Sequence, residues 1–242
     1  MRIPDEIKDY LVGKKFSSGM YWKYNTEPQP IYNRLKLLTS ISKNRSILHV
    51  GPCDDLSEID RSIADGSWLH KRLTDKAKIV WGVDINEEAV QYTNKIGYKN
   101  IYKLDLISES DKVISLMESD GVSCVDYAIL GEMLEHVDDP VSFLKGIKER
   151  YCGHVKKLVI TVPNALHKYY TKLAQEDGSE IINSDHRYWF TPYTICKVIT
   201  VAGMMPDEIL FAGWGDCERL GEDLSQNPLS DAPVIVCTVD LG

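Results

Sequence analysis

From Ser46 onward the chain alternates apolar runs with amphipathic ones, and this alternation restricts the fold more than any single motif. The runs Ser46–Val50, Lys78–Ile85, Asn100–Leu106, Asp126–Glu132 and Lys157–Asn164 read as strands. Between them, Asn86–Gly97 reads as a helix, with Asn86 as N-cap, Glu87 and Glu88 at its positive end and Gly97 after its last turn. Pro140–Tyr151 is a second helix, with proline in its first turn, and Thr191–Ala202 a third, capped by Thr191. Strands alternating with helices predict a mostly parallel, doubly wound sheet covered on both faces, a three-layer α/β/α fold of Rossmann-like type. Two further runs, Glu208–Trp214 and Pro233–Leu241, follow each other without a clear helix between them and predict an antiparallel pair at one edge. Residues 1–45 precede the alternation and read as an N-terminal helical cap, with helix-like spacing at Leu35, Leu37, Leu38 and Ile41; residues 46–242 form the main domain.

Open sheets of this kind bind ligands beyond the carboxyl ends of their strands. The residues there are Gly51, Pro52, Cys53, Asp54 and Asp55; Asp84, Ile85 and Asn86; Asp105 and Leu106; Glu132, Glu135 and His136; and Asn164 and His167. Asp84 can accept both hydroxyls of a ribose, or it caps the helix starting near Asn86. Asp105 can accept an adenine amine, with Leu106 against the ring, or it is a turn aspartate. Neither a P-loop nor GxGxxG is present. A pyrophosphate needs several glycines to bring backbone amides close, so an NAD-dependent oxidoreductase is disfavoured and a ligand without pyrophosphate fits better.

The ordered series ILHVGPC, VWGVDINEEAV, NIYKLDL, DYAILGEMLEHVDDPVSFL and KLVITVPN resembles the class I S-adenosylmethionine-dependent methyltransferases. GEMLEHVDDP followed by TVPN carries most of that resemblance, and NSDHRYWFTPYT is similar to a segment of methyltransferases that often act on sugars or surface glycans. The resemblance implies a seven-stranded sheet with an antiparallel last strand and S-adenosylmethionine as cofactor. Gly51 would let the backbone approach the methionine part, Asp84 with Ile85 would hold the ribose, Asp105 and Leu106 would frame the adenine, and Glu132 would lie by the methionine moiety. The family usually shows an acid where His49 stands and more glycine after Gly51; Asp54 or Asp55 could take over the contact to the cofactor's amino group.

A sulfonium is already an activated methyl donor, so the protein's work is alignment and exclusion of water. A hydroxyl acceptor gains from a general base, for which His186, His136 and Glu135 are the candidates, with Asp185 and His167 behind them. Glu132, Glu135 and His136 form ExxEH. With His186 they could bind a divalent metal, as in the similar small-RNA 3′-terminal ribose methyltransferases. Such stretches also occur in metal-free methyltransferases, and the site is expected to work without a metal. The aromatic residues near Tyr21, Tyr170 and Trp189 either stack on an acceptor or pack the N-terminal cap. The polar stretch 177–185 reads as a lid, and the connection from Trp214 to Asp231 as a border of the acceptor pocket.

Composition narrows the partners. The net charge of −8 argues against a nonspecific nucleic-acid binder, so a small polar or glycan acceptor is expected. No apolar run is long enough for a membrane span. The N-terminus lacks an export signal and the six cysteines are scattered, which suits free thiols in a cytoplasmic protein. The expected function is O-methylation of a sugar, glycan or similar acceptor. The alternatives are a non-catalytic adenosyl-binding module and a metal-assisted ribose 2′-O-methyltransferase of RNA ends.

Overall fold

In a computed structural model of the protein, residues 1–24, 29–53, 56–214 and 224–242 are described. The strands are β1 (Gln29–Asn33), β2 (Ser46–Val50), β3 (Ile79–Asp84), β4 (Ile101–Lys103), β5 (Val125–Gly131), β6 (Val155–Pro163), β7 (Pro206–Gly213), β8 (Leu224–Ser225) and β9 (Val234–Asp240). They form one sheet in the order β4-β3-β2-β5-β6-β9-β7-β1-β8. The run from β4 to β6 is parallel, and β9 is antiparallel to both β6 and β7. Chain order reverses between β2 and β5, which makes their carboxyl ends the switch point where such sheets bind ligands.

Side chains alternate across the sheet, as the two-residue period requires. Leu48, Val50, Leu130, Leu158 and Ile160 face a core built with α6 (Ser110–Ser119), α7 (Pro140–Tyr151) and α9 (Pro192–Val201). Ile47, Ile129 and Val159 face the opposite layer, where α2 (Arg34–Ser42) and α4 (Leu69–Thr74) supply Leu35, Leu38, Leu69 and Leu73. Helix α5 (Glu87–Lys95) has the expected cap: the Asn86 side chain accepts from the Ala89 amide. Thr191 and Thr194 form a reciprocal capping box at α9. No helix among the described residues is long and apolar enough to cross a membrane. Cys124, Cys152, Cys196 and Cys237 are free thiols.

Two features differ from the sequence expectation. The expected antiparallel pair forms between β7 and β9, but it is not at the edge, because β1 and β8 lie outside β7. The segment 1–45 is not only a helical cap: beside α1 (Asp5–Leu11) and α2 it contributes β1, which lies parallel to β7 and pairs with β8 on its other side. The outer strand β7 would otherwise present an unpaired row of backbone groups. The sheet therefore has nine strands among the described residues rather than seven.

Candidate functional site

At the end of β2 the chain turns through Gly51, whose φ of +65° is the left-handed region that suits glycine. A Cβ there would also stand 3.2 Å from Met133 Cγ. Asp84, at the end of β3, is buried and ties the turn to its own strand. Its Oδ2 accepts from the Cys53 amide at 3.0 Å and its Oδ1 from the Asn86 amide at 2.9 Å. Burial raises its pKa and the amides oppose the rise. The helix cap is Asn86 itself, so Asp84 is not spent on that task. The Cys53 side chain and the Ile85 amide also bond to this carboxylate.

Beside Asp84, the apolar side chain of Ile85 is 70% exposed. Beyond β4, Asp105 Oδ1 accepts from the Ile107 and Ser108 amides at 2.9 and 2.7 Å, and these bonds hold its carboxyl below the usual range. That is the turn arrangement weighed for it from sequence. Leu106 packs into the core, and its carbonyl accepts from the Tyr151 hydroxyl at 2.7 Å.

Past β5 the backbone takes an unusual path. Glu132 has φ of +57°, rare for a residue with a Cβ, and its amide donates to Thr161 O and Oγ1 at 3.0 and 3.1 Å. A short 3₁₀ turn, Leu134–His136, follows. Glu135 on that turn is fully buried, and among the described residues neither of its carboxylate oxygens has a hydrogen-bond partner; the same holds for Glu132 Oε1. Burial, reinforced by Glu132, pushes the Glu135 pKa up to about 8.

A segment fifty residues later closes on this turn. The Arg187 amide donates to Glu135 O at 2.8 Å, the Tyr188 hydroxyl to Asp138 O at 2.7 Å, and Asp185 Oδ2 lies 2.7 Å from His136 Nδ1. His186 thereby meets His136 edge to face, with ring centroids 4.6 Å apart. Its Nδ1 is buried without a partner among the described residues, and burial followed by the nearby His136 lowers its pKa. One ligand atom each from Glu135, His136 and His186 lie within 4.8 Å of one another. The three residues named from sequence as candidate bases form one cluster at the ends of β5 and β6. Aromatic rings continue from it: His186 contacts Trp189, Trp189 contacts Tyr170, and Tyr170 contacts His167.

The turn after β2 also contains groups that sequence reasoning did not connect. His49 Nδ1 is 3.1 Å from His70 Nδ1, both rings are buried, and the Trp68 indole donates to Pro52 O at 2.8 Å. Burial lowers both imidazoles, His70 to about 4, so the pair is neutral, one ring donating and the other accepting. Nothing in the segment 65–75 announces this, because helical spacing does not report which strand a helix will cover. Asp54 and Asp55 lie outside the described residues, as does 215–223 within the Trp214–Asp231 connection. The 177–185 stretch lacks helix and strand.

No family model matches the chain, and no curated protein matches it. Solved structures do. A SAM-dependent methyltransferase from Archaeoglobus fulgidus is similar at 18% identity and TM-score 0.50, covering 86% of this chain and 91% of that one. The small RNA methyltransferase HEN1 is similar at 16% identity and TM-score 0.54, over 93% of this chain and 27% of that one. The complex between the Haloferax volcanii Trm112 methyltransferase activator and a methyltransferase gives 14% identity and TM-score 0.53, over 85% of this chain and 88% of that one. The chain therefore has the class I, Rossmann-like methyltransferase fold.

Proposed function

We propose that the protein is an S-adenosylmethionine-dependent O-methyltransferase acting on a sugar hydroxyl. The observation that carries the reading is the Glu135–His136–His186 cluster, assembled beside the switch point of a methyltransferase fold, at the ends of β5 and β6. The cofactor fits the residues present. Asp84 stands at the strand end where the ribose hydroxyls would lie. Ile85 offers an exposed apolar face, Asp105 and Leu106 lie at the next strand end toward the adenine, and Gly51 brings backbone close where the amino-acid end would lie. Glu132 Oε1 is a buried acceptor in want of a donor, such as the amino group of that end.

When bound, the cofactor supplies an electrophilic methyl group, and the residues prepare the acceptor. His186 is neutral at physiological pH and offers Nδ1 to a hydroxyl proton. Asp185 orients His136 from behind, as a second carboxylate orients a catalytic imidazole. Tyr170 and Trp189 form the wall on which an acceptor ring stacks.

A second reading is favoured by the same cluster. Two imidazoles and a carboxylate, with Glu132 nearby, suit a divalent cation that would hold a vicinal diol, and Glu132 and Glu135 both have oxygens without partners. That reading makes a terminal ribose of RNA the acceptor, and HEN1, named as a small RNA methyltransferase, is among the similar structures. The test is transfer of labelled methyl from S-adenosylmethionine to a panel of free and nucleotide-linked sugars, a glycan, and RNA oligomers with and without a 2′-hydroxyl at the 3′ end. Each is run with chelator and with added manganese or magnesium. Transfer to sugars in chelator supports the first reading. Cation-dependent transfer that requires the terminal 2′-hydroxyl supports the second, and transfer to none overturns both.

A further inference from the structure

One buried cation is left unused by the site as described. Arg34 begins α2, in the segment ahead of the alternating fold. Its Nε and Nη1 are buried and have no hydrogen-bond partner among the described residues. The guanidinium reaches the switch point itself: Nη1 lies 3.5 Å, and His49 Nε2 4.0 Å, from where a Cβ on Gly131 would stand.

The neighbours do not satisfy it. His49 is neutral and engaged with His70 through Nδ1. Glu135 is the nearby carboxylate, yet both its oxygens also lack partners, so the two form no ion pair. A guanidinium with two buried and unanswered N–H groups is costly. A guanidinium offers paired N–H groups along its Nε–Nη2 and Nη1–Nη2 edges, and each pair has the spacing that takes a carboxylate in two parallel bonds. The direction of the ligand agrees. Asp84 and Asp105 mark the ends of β3 and β4 for the nucleoside. Neighbouring strands are about 4.8 Å apart, so the amino-acid end of an adenosyl ligand extends over β2 toward β5, where Arg34 stands.

We propose that Arg34 binds the carboxylate of the cofactor's amino-acid end, making the N-terminal segment part of the cofactor site. This rests on the adenosyl reading given above. The arginine selects adenosyl ligands that carry the amino acid over those that lack it.

The test is calorimetric titration of the wild-type protein, Arg34→Gln and Arg34→Lys with S-adenosylhomocysteine and with 5′-methylthioadenosine, which keeps the nucleoside and thioether but has no carboxylate. A charge-assisted bidentate contact predicts a loss of about 30-fold or more for S-adenosylhomocysteine in Arg34→Gln, with methylthioadenosine affinity unchanged. Arg34→Lys, which retains the charge without the fork, should fall between, and it decides the matter if Arg34→Gln does not fold. Unchanged S-adenosylhomocysteine affinity, or equal losses for both ligands, would overturn the assignment while the adenosyl reading stands. Failure of the wild-type protein to bind either ligand would overturn that reading and the assignment with it.

Discussion

The molecule holds two pairs of histidines in contact, and their surroundings set them apart. His49 and His70 stack at 5.3 Å with nearly parallel rings, sealed between sheet and helix beneath Trp68. His136 and His186 meet at right angles beside Asp185, on a turn and a loop that remain partly open. Both pairs are imidazoles near strand ends, and ring chemistry alone would not separate them. In the first pair the two Nδ1 atoms satisfy each other and the surrounding core excludes a ligand. In the second, ligand atoms remain free beside a buried carboxylate. Accessible lone pairs distinguish a candidate reaction site from an internal brace.

Substitutions should break this comparison cleanly, and the largest effect belongs to the open pair. His186→Ala and Glu135→Gln should each lower methyl transfer by about 100-fold or more, measured as turnover of the acceptor found in the panel. Glu135→Gln should leave the melting temperature unchanged or higher, because it removes a carboxyl that burial penalises. Retained turnover in both variants would remove this cluster from the chemistry.

Asp84→Ala comes next. It deletes the proposed ribose acceptor and frees the Cys53 and Asn86 amides, so cofactor affinity should fall by about 2–3 kcal/mol, read by calorimetry on protein shown to be folded.

For the sealed pair the effect moves from turnover to stability. His70→Ala leaves a cavity and strands His49, which should cost about 2 kcal/mol in urea unfolding, with the KM for acceptor unchanged. A changed KM at constant stability would mean that the brace belongs to the acceptor site.

The smallest effect is on pH dependence, and its sign differs between the regions. Burial depresses both His49 and His70 in the folded state, His70 to about 4. Unfolded histidine binds its proton near about pH 6.5. The pair's contribution is therefore complete above that pH and is lost as pH falls toward 4. Glu135 has the opposite sign: its folded pKa is raised to about 8 from 4.5, so stability attached to its proton is present below 4.5 and is lost as pH rises through 8. Urea midpoints across pH should show an acid slope that His70→Ala removes and an alkaline slope that Glu135→Gln removes.

Much of the sheet was legible because its evidence is local. The run Ser46–Val50 coincides with β2, and Pro140–Tyr151 with α7. Apolar strands bounded by Asn, Pro and Gly announce themselves over five to eight residues. The helices α3 (Leu56–Ala64) and α4 were not legible; α4 has only six residues and begins at Trp68 without a side-chain cap, so packing rather than propensity holds it. Strand β1 was hidden for a related reason: QPIYN becomes a strand only where β7 offers it an edge. At the site, Glu135 and His136 were visible as part of one motif. Their meeting with His186 depends on bonds from Asp185 and Arg187 to Glu135 and His136, about fifty residues away in the chain.

By itself, the sequence determined the alternation of elements, the acids at the strand ends and the absence of a pyrophosphate-binding loop, since each depends on residues near one another in the chain. Tertiary structure decided which histidines are shut in and which are open, that β9 lies inside the sheet, and that Arg34 arrives at the switch point from the N-terminal segment. Those outcomes depend on burial and on contacts across tens of residues, and a side chain's charge state and free lone pairs are set by what packs against it.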